Sequence, residues 1–266
     1  KNTYFELLSA NGEGLGRVLT VALGLCLVCS VVVSTAAVLL KPAQQANKTL
    51  DLKRNILMAA GLLDPSRSVE EQFEQVETRI VNLDAGQFVD GVDPATFDQR
   101  EAAKDPAQSR AIPNDEDAAK LVRREDQALV YLVRTGRGDL DKIILPIRGY
   151  GLWSTLYGFM ALESDGNTIA GLGFYEHGET PGLGGEVDNP RWKSIWPGKL
   201  VYQGNEVAIE VLKGSVRAES AQAQWQVDGL SGATLTTKGV DNLVKYWLGE
   251  QGFKPLLDNL RQGEVS

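Results

Sequence analysis

The chain has 266 residues, enough for one or two domains with a hydrophobic core, and it is acidic, with a formal net charge of -8. Because binding to nucleic acid requires a basic face, this charge argues against nucleic acid as a partner. The single histidine, His177, excludes a metal site built from several histidines of this chain. The two cysteines, Cys26 and Cys29, lie in the most apolar stretch, and we interpret them as small apolar residues of a membrane helix rather than a redox or metal site.

The first predicted element is a membrane helix. Val18–Leu40 contains no charged residue, and at 1.5 Å per residue it is long enough for a bilayer core of about 30 Å. Arg17 and Lys41 flank it, and Pro42 is expected to end it. We predict a retained single span; a cleaved signal peptide is the alternative, with Ser34–Ala36 as a small-residue cleavage site.

The charges around this span give a first indication of orientation. More basic residues follow the span (Lys48, Lys53, Arg54) than precede it (Lys1, Arg17). Taken literally, the positive-inside rule places the following domain in the cytoplasm.

The region after the span reads as helical and irregular. Helical spacing of apolar residues predicts a helix over Ala43–Leu63, followed by a polar helix over Ser68–Glu77 and a strand over Arg79–Phe88. Asp90–Asp117 is charged and contains three prolines, which indicates an irregular surface segment. We therefore expect four regions: a flank at 1–17, the transmembrane helix at 18–40, a membrane-proximal helical and irregular region at 41–120, and a folded domain at 121–266.

The folded domain is rich in strand signals. Strands are predicted over Ala128–Arg134, Lys142–Arg148, Leu156–Glu163, Thr168–His177 and Val207–Gly214, with a hairpin turn at Asp165-Gly166-Asn167. Helices are predicted over Pro190–Ile195 and Lys238–Gly249. The sequence therefore predicts an α+β fold, an antiparallel sheet with packed helices, preceded by one N-terminal transmembrane helix.

The stretch VDGLSGATLTTKGV (Val227–Val240) places glycines and hydroxyls before an amphipathic helix. The free N–H groups and positive dipole end of a helix N-terminus favour an anion there. The alternative is an ordinary helix start, in which Thr236 or Thr237 caps the helix and Gly232 permits the turn.

The stretch HGETPGLGGEVDNPRW (His177–Trp192) contains four glycines that would let the backbone approach another molecule. It matches neither a dinucleotide-binding fingerprint nor a Walker A loop. Two interpretations remain: a long connecting loop, or a loop folded over a flat ligand with Thr180 and backbone amides as donors. His177 could act as a general base, but without an evident partner a structural role is the interpretation we favour.

A third stretch, RGYGLWS (Arg148–Ser154), places Trp153 beside two glycines at a strand end. This tryptophan either packs in the core or borders an aromatic ligand.

Together these three stretches resemble the family of C-type subunits of the Na+-translocating NADH:quinone oxidoreductases over essentially the whole chain. Asp228–Thr234 matches the family's flavinylation signature, Asp-x-x-Ser/Thr-Gly-Ala-Thr. The resemblance implies an FMN attached covalently, through a phosphoester, to Thr234 by a flavin transferase that uses FAD as donor. The cofactor-binding residues implied with Thr234 are Asp228, Ser231, Gly232, Ala233, Leu235, Trp153, Glu179, Thr180, Gly182, Leu183, Gly184 and Lys213.

The resemblance also implies a place in a larger assembly. It implies a component of a sodium-pumping NADH:ubiquinone oxidoreductase that relays electrons to the FMN of the B-type subunit, alongside D-, E- and F-type subunits. The family's soluble domain lies on the periplasmic side of a bacterial inner membrane. We prefer that orientation to the literal charge count, because the difference in basic residues is small.

Three other interpretations stay open at this point. The first is a G-type subunit of the Rnf complex, which shares the cofactor and the signature. The second is a membrane-anchored FMN-binding redox regulator that catalyses nothing. The third is a structural subunit with an empty pocket.

Overall fold

The computed structural model describes residues 3–264, with side chains described at residue 14 and from residue 16 onward. The chain divides into two compact units, Lys1–Asp51 and Leu52–Ser266. The candidate functional residues all belong to the second unit.

The first element is one long helix, α1, which covers Thr3–Ala59. Within it, Gly16–Ala59 is long and apolar enough to cross a membrane, judged by length and composition. The prediction that Pro42 ends the helix, with a separate helix over Ala43–Leu63, is wrong because Pro42 lies inside α1. A proline inside a helix removes one hydrogen bond and crowds the carbonyl four residues earlier, but here helix-forming residues on both sides continue the helix.

The remaining helices are short except for the one that carries the signature. They are α2 (Val69–Phe73), α3 (Gln99–Lys104), α4 (Pro190–Lys193), α5 (Thr234–Trp247) and α6 (Lys254–Gln262).

The strands comprise six that form the main sheet and six that form small two-stranded pairs. The main-sheet strands are β1 (Val76–Asn82), β2 (Gln87–Phe88), β5 (Gln127–Arg134), β6 (Leu140–Tyr150), β7 (Thr155–Glu163) and β8 (Ile169–Glu176). The others are β3 (Ser109–Ala111), β4 (Arg123–Glu125), β9 (Tyr202–Gln203), β10 (Glu206–Val207), β11 (Glu210–Val211) and β12 (Gln226–Val227).

The main sheet has the order β2-β1-β5-β6-β7-β8, and its neighbouring strands are antiparallel. Successive side chains of a strand point to opposite faces. In β6, Ile143 and Leu145 therefore join one buried cluster with Leu243 of α5, while Ile144 joins a second cluster with Ile56 of α1. The sheet thus has a core on each face, and the predicted α+β class with a long apolar N-terminal helix is confirmed.

Four boundaries differ from the predictions. The strand expected over Arg79–Phe88 is a hairpin, because a turn at 83–86 separates β1 from β2 and the two strands pair with each other. The polar helix expected over Ser68–Glu77 ends at Phe73, since Val76 and Glu77 pair with β5. The strand expected over Val207–Gly214 is two short strands, because β10 pairs with β9 while β11 pairs in parallel with β12.

The fourth difference concerns the signature helix. The helix expected over Lys238–Gly249 begins four residues earlier, at Thr234. Helix α6 was not predicted.

Candidate functional site

The candidate site begins at the first turn of α5. Ala233 is the N-cap residue and makes no side-chain capping bond, so Thr234 is the first helical residue. The Thr234 side chain is exposed, and its hydroxyl has no hydrogen-bond partner among residues 3–264. A free hydroxyl therefore lies where a helix leaves N–H groups without intrahelical partners.

The hydroxyls of Thr236 and Thr237 do not cap the helix, because both have partners elsewhere. Thr236 is buried and donates to Glu179 Oε2 at 2.6 Å. Thr237 is buried and accepts the backbone N–H of Leu230 at 3.0 Å. The alternative in which Thr236 or Thr237 caps the helix is therefore wrong. Among the three threonines at the start of α5, only Thr234 has an exposed hydroxyl without a hydrogen-bond partner in the described residues.

Glu179 connects three segments at this point. It is only 5% exposed. Its Oε1 accepts the backbone N–H groups of Leu152 at 3.0 Å, Trp153 at 2.9 Å and Ser154 at 3.3 Å, and its Oε2 accepts the hydroxyl of Thr236. One carboxylate thus joins the loop after β6, the loop after β8 and the first turn of α5.

The charge of this carboxylate is stabilised despite its burial. Burial alone would raise the pKa of Glu179. Hydrogen bonds from the Thr236 hydroxyl and from the three backbone N–H groups outweigh that effect, and the pKa of Glu179 lies below its ordinary value. Glu179 is therefore an ionised acceptor at neutral pH, and its charge is fully engaged by protein donors.

Two glycines leave room for this arrangement. A Cβ at Gly184 would lie 2.5 Å from Thr236 Oγ1 and 2.6 Å from Glu179 Oε2. A Cβ at Gly151 would lie 2.6 Å from Glu179 Oε1. A real Cβ does not tolerate contacts this short. Glycine at positions 151 and 184 therefore lets the backbone there lie against the Glu179 carboxylate.

The loop after β8 is fixed by its own hydrogen bonds. Thr180 is exposed, and its carbonyl accepts the N–H of Leu183 at 3.1 Å and of Gly185 at 2.9 Å. Gly182 has φ of +75°, a conformation that favours glycine. The resulting turn leaves Leu183 exposed and Gly184 buried beside Glu179.

His177 has two partners that explain its position. Its Nε2 lies 2.7 Å from Asp188 Oδ2, and its Nδ1 accepts the backbone N–H of Glu179 at 3.2 Å. The histidine therefore orients the loop, and this geometry favours the structural interpretation over a general base.

Exposed apolar side chains surround the same loops. Trp153 and Leu235 are 66% and 60% exposed, and Leu152 and Leu183 are also exposed. Leu183 reaches the signature itself, since its Cδ2 would lie 3.3 Å from a Cβ at Gly232, whose φ is +73°. Leu152 was not predicted; only its place beside Trp153 in the same glycine-flanked turn could have indicated it.

The predicted cofactor-binding residues within the signature differ in their hydrogen bonds and exposure. Asp228 shapes the loop: its Oδ1 accepts the N–H of Val216 at 2.7 Å, and its carbonyl accepts Trp192 Nε1 at 2.8 Å. Ser231 is exposed and Ala233 is buried.

Lys213 follows β11 rather than lying on a strand. It is exposed, with no ion-pair or hydrogen-bond partner among the described residues. The structure therefore does not bring its ammonium group to a defined partner.

The arrangement combines a free hydroxyl, a helix N-terminus and an exposed apolar surface that includes an indole ring. A helix N-terminus suits a phosphate, and a partly apolar surface suits a flat aromatic ring. Within the part of the chain that the structure describes, no group of three His, Cys, Asp or Glu side chains could hold a metal ion.

Comparisons with known proteins point to one family. Residues 151–249 match a family model described as an FMN-binding domain. The chain is 56% identical over 261 residues to the C-type subunit of the Na(+)-translocating NADH-quinone reductase of Pseudomonas aeruginosa, covering 96% of this chain and 100% of that protein. It is 48% identical over 259 residues to the corresponding C-type subunit of Vibrio vulnificus, covering 97% and 100%.

Solved structures agree with these relatives. The crystal structure of Shewanella oneidensis NqrC matches with a TM-score of 0.75 at 36% identity, covering 82% of this chain and 99% of that chain. The crystal structure of the corresponding C-type subunit from Parabacteroides distasonis matches with a TM-score of 0.64 at 30% identity, covering 82% and 96%.

Proposed function

The chain belongs to the family of C-type subunits of the Na+-translocating NADH-quinone reductases, and from that premise we propose that Thr234 carries FMN through a phosphoester bond. The observation that carries this proposal is the exposed, unbonded hydroxyl of Thr234 at the first position of α5. Membership of the family makes the chain an electron-carrying subunit with an FMN-binding domain.

The attachment step balances as a transfer from FAD. A flavin transferase directs the Thr234 oxygen to the phosphorus on the FMN side of the FAD diphosphate. The Thr234 Oγ–P bond forms, the P–O bond to AMP breaks, and the hydroxyl proton leaves with AMP or solvent. The step consumes no oxidant or reductant, and its product is FMN-Thr234 and AMP.

The first turn of α5 suits the phosphate that this bond would bring. The helix N-terminus carries a partial positive charge, which favours an anion within the first turn. Ser231, Gly232 and Ala233 are small, so they leave the backbone accessible to the transferase and then to the phosphate. Lys213 and Lys238 are exposed lysines. Lys213 precedes Gly214, whose carbonyl accepts the N–H of Gly229 at 2.9 Å, and Lys238 lies one helical turn after Thr234 on the same side of α5. We assign to them the balancing of phosphate charge.

The surrounding loops suit the flavin ring. Leu152, Trp153, Leu183 and Leu235 present apolar surface, while Thr180 and the backbone of Gly182 and Gly184 offer polar contacts at its edge. The Glu179 carboxylate holds these loops together, so its role is to position the site. When bound, FMN supplies electron transfer, and the linkage through phosphate leaves its ring unmodified, so the protein tunes the potential by burial and hydrogen bonds.

Membership of the family also supports a proposal for the place of this carrier in the assembly. We propose that the chain accepts electrons from an iron centre in neighbouring subunits and passes them to the FMN of a B-type subunit. D-, E- and F-type subunits complete the complex, α1 anchors the chain in a bacterial inner membrane, and the folded unit faces the periplasm.

A test of the attachment uses the full chain co-expressed with a flavin transferase. Intact mass should show a gain of one FMN less one water, and denatured protein should keep flavin fluorescence in a gel. Both signals should disappear in Thr234→Ala and persist in Thr234→Ser, which keeps the hydroxyl. A wild-type chain without added mass, despite an active transferase on a known substrate, would overturn the proposal.

A further inference from the structure

A cavity on the folded unit is strongly basic although the chain is acidic. It has a volume of about 390 Å³ and lies between α3, the segment before β4, and the adjoining ends of β6 and β7. Five of its ten lining residues are cationic and none is acidic; the cations are Arg100, Lys104, Lys120, Arg123 and Arg148. The cavity shares no lining residue with the candidate flavin site. We propose that it binds a phosphate group.

The protein leaves part of the positive charge at this cavity uncompensated. Three of the cations have carboxylate partners: Arg100 with Glu176 at 2.9 Å, Lys104 with Glu101 at 2.7 Å, and Arg148 with Glu125 at 2.6 Å. The other two form no ion pair within 4.0 Å among the described residues, although the charge of Arg123 also acts on the Asp105 carboxylate. Arg123 donates to the hydroxyl and carbonyl of Ser109, and the Lys120 ammonium lies 5.4 Å from the centre of the Tyr150 ring. Positive charge that no ion pair of the protein neutralises therefore remains at the cavity, on Lys120 and in part on Arg123.

The backbone at the cavity wall is strained. Lys120 and Val122 have φ values of +53° and +67°, and in residues 3–264 they are the non-glycine residues with positive φ. A β-branched residue rarely adopts this conformation. Asp117 holds it, because its carboxylate accepts the N–H of Leu121 at 2.8 Å and of Val122 at 2.7 Å. Such strain persists where the surrounding structure fixes it, and it clusters at binding sites.

The cations and the shape of the cavity indicate the kind of ligand. Arginine and lysine together favour an oxyanion with several acceptor oxygens, such as a phosphate group. The cavity is concave and of a volume typical for small ligands, about 300–1,000 Å³, which favours a compact group over an extended acidic protein surface. The phosphate could belong to a soluble compound or to the headgroup of an anionic lipid, and the test separates these sources.

The test uses the full chain in phosphatidylcholine nanodiscs. Inorganic phosphate is titrated against chloride at constant ionic strength, and affinity is taken from the rise in the unfolding temperature, since a ligand that binds the folded state stabilises it. Lys120→Asn and Arg123→Gln are compared with wild type and with Arg137→Gln. Asparagine suits the positive φ of residue 120. Arg137 is an exposed cation in the turn between β5 and β6, so it is a matched loss of charge outside the cavity.

The proposal predicts that phosphate stabilises wild type and Arg137→Gln equally. Each cavity variant should bind phosphate about fivefold more weakly, as expected for the loss of one solvent-exposed ion pair. A parallel series replaces phosphate by phosphatidylglycerol in the nanodisc; stabilisation there, lost in the same variants, would identify a lipid headgroup as the source. The proposal is overturned if neither phosphate nor phosphatidylglycerol stabilises wild type and Arg137→Gln more than it stabilises the two cavity variants.

Discussion

The hydroxyl of Thr236 donates a hydrogen bond of 2.6 Å to the Glu179 carboxylate, across 57 residues of sequence. This buried contact connects the first turn of α5 to the loop after β8. It explains why Thr236, two residues from the proposed flavin attachment point, faces inward while Thr234 faces solvent. The opposite surroundings of these two threonines lead to opposite predictions.

Thr234→Val and Thr236→Val should separate attachment from stability. Thr234→Val should abolish covalent flavin and leave the unfolding free energy of the unmodified chain within about 0.5 kcal/mol, because the side chain is exposed and unbonded. Thr236→Val should cost about 1–3 kcal/mol, because it leaves a buried carboxylate oxygen without its donor. Urea denaturation of both variants expressed without the transferase measures the energies. Equal destabilisation of the two would contradict this assignment.

Gly184→Ala should disturb the site from the neighbouring loop. Its Cβ would lie 2.5 Å from Thr236 Oγ1, so either the loop or the Thr236–Glu179 bond must shift. We expect a loss of about 1–3 kcal/mol in unfolding free energy. Gly214→Ala is the matched control, since nothing lies within 4 Å of its Cβ position, and its stability should be unchanged or slightly higher. An unchanged unfolding free energy in Gly184→Ala would contradict this prediction, because it would show that the loop can shift without loss of stability.

Glu179 should contribute to stability in a pH-dependent way. Its pKa in the folded state lies below the ordinary value of 4.5, so its contribution is complete above that value and is lost as the pH falls through the folded-state pKa. Glu179→Gln should cost about 1–3 kcal/mol at pH 7 and should lose stability less steeply than wild type below about pH 4.5. Urea midpoints measured from pH 7 to pH 3 provide the comparison.

Part of the acid sensitivity should remain in that variant. Glu77 also has a lowered pKa, through its hydrogen bond from Arg134, and it is unchanged by the substitution. Parallel curves for wild type and Glu179→Gln across this range would exclude Glu179 as a source of the pH dependence.

Trp153 should quench the emission of a flavin that lies beside it. The indole is 66% exposed, so Trp153→Leu should leave stability nearly unchanged. The ratio of native to denatured flavin fluorescence should rise severalfold in the flavinylated variant. A ratio equal to that of wild type would place the ring away from Trp153.

The sequence predicted the central sheet well because its signals are local. β5, β6, β7 and β8 lie within about two residues of the predicted strands, since runs of β-branched and aromatic residues and the turn at Gly166 are sufficient to define them. The amphipathic face of α5, from Val240 to Leu248, is buried as its spacing predicts.

The errors arise where distant contacts decide the structure. The start of α5 was misplaced because the Thr236 and Thr237 hydroxyls satisfy Glu179 and the backbone of Leu230 rather than the helix end. The sequence also contained no sign that Glu179 joins three segments, because that role depends on contacts that no local pattern records. The division of Val207–Gly214 likewise follows from its different pairing partners.

The most direct test of the central claim is to locate the flavin on the chain. Trypsin cleaves after Arg217 and Lys238, which releases a peptide of residues 218–238 that contains Ser220, Ser231, Thr234, Thr236 and Thr237. Fragmentation of this peptide from the flavinylated full chain should place the whole added mass on Thr234. Placement on another hydroxyl, or an unmodified peptide from protein that carries covalent flavin, would contradict the account.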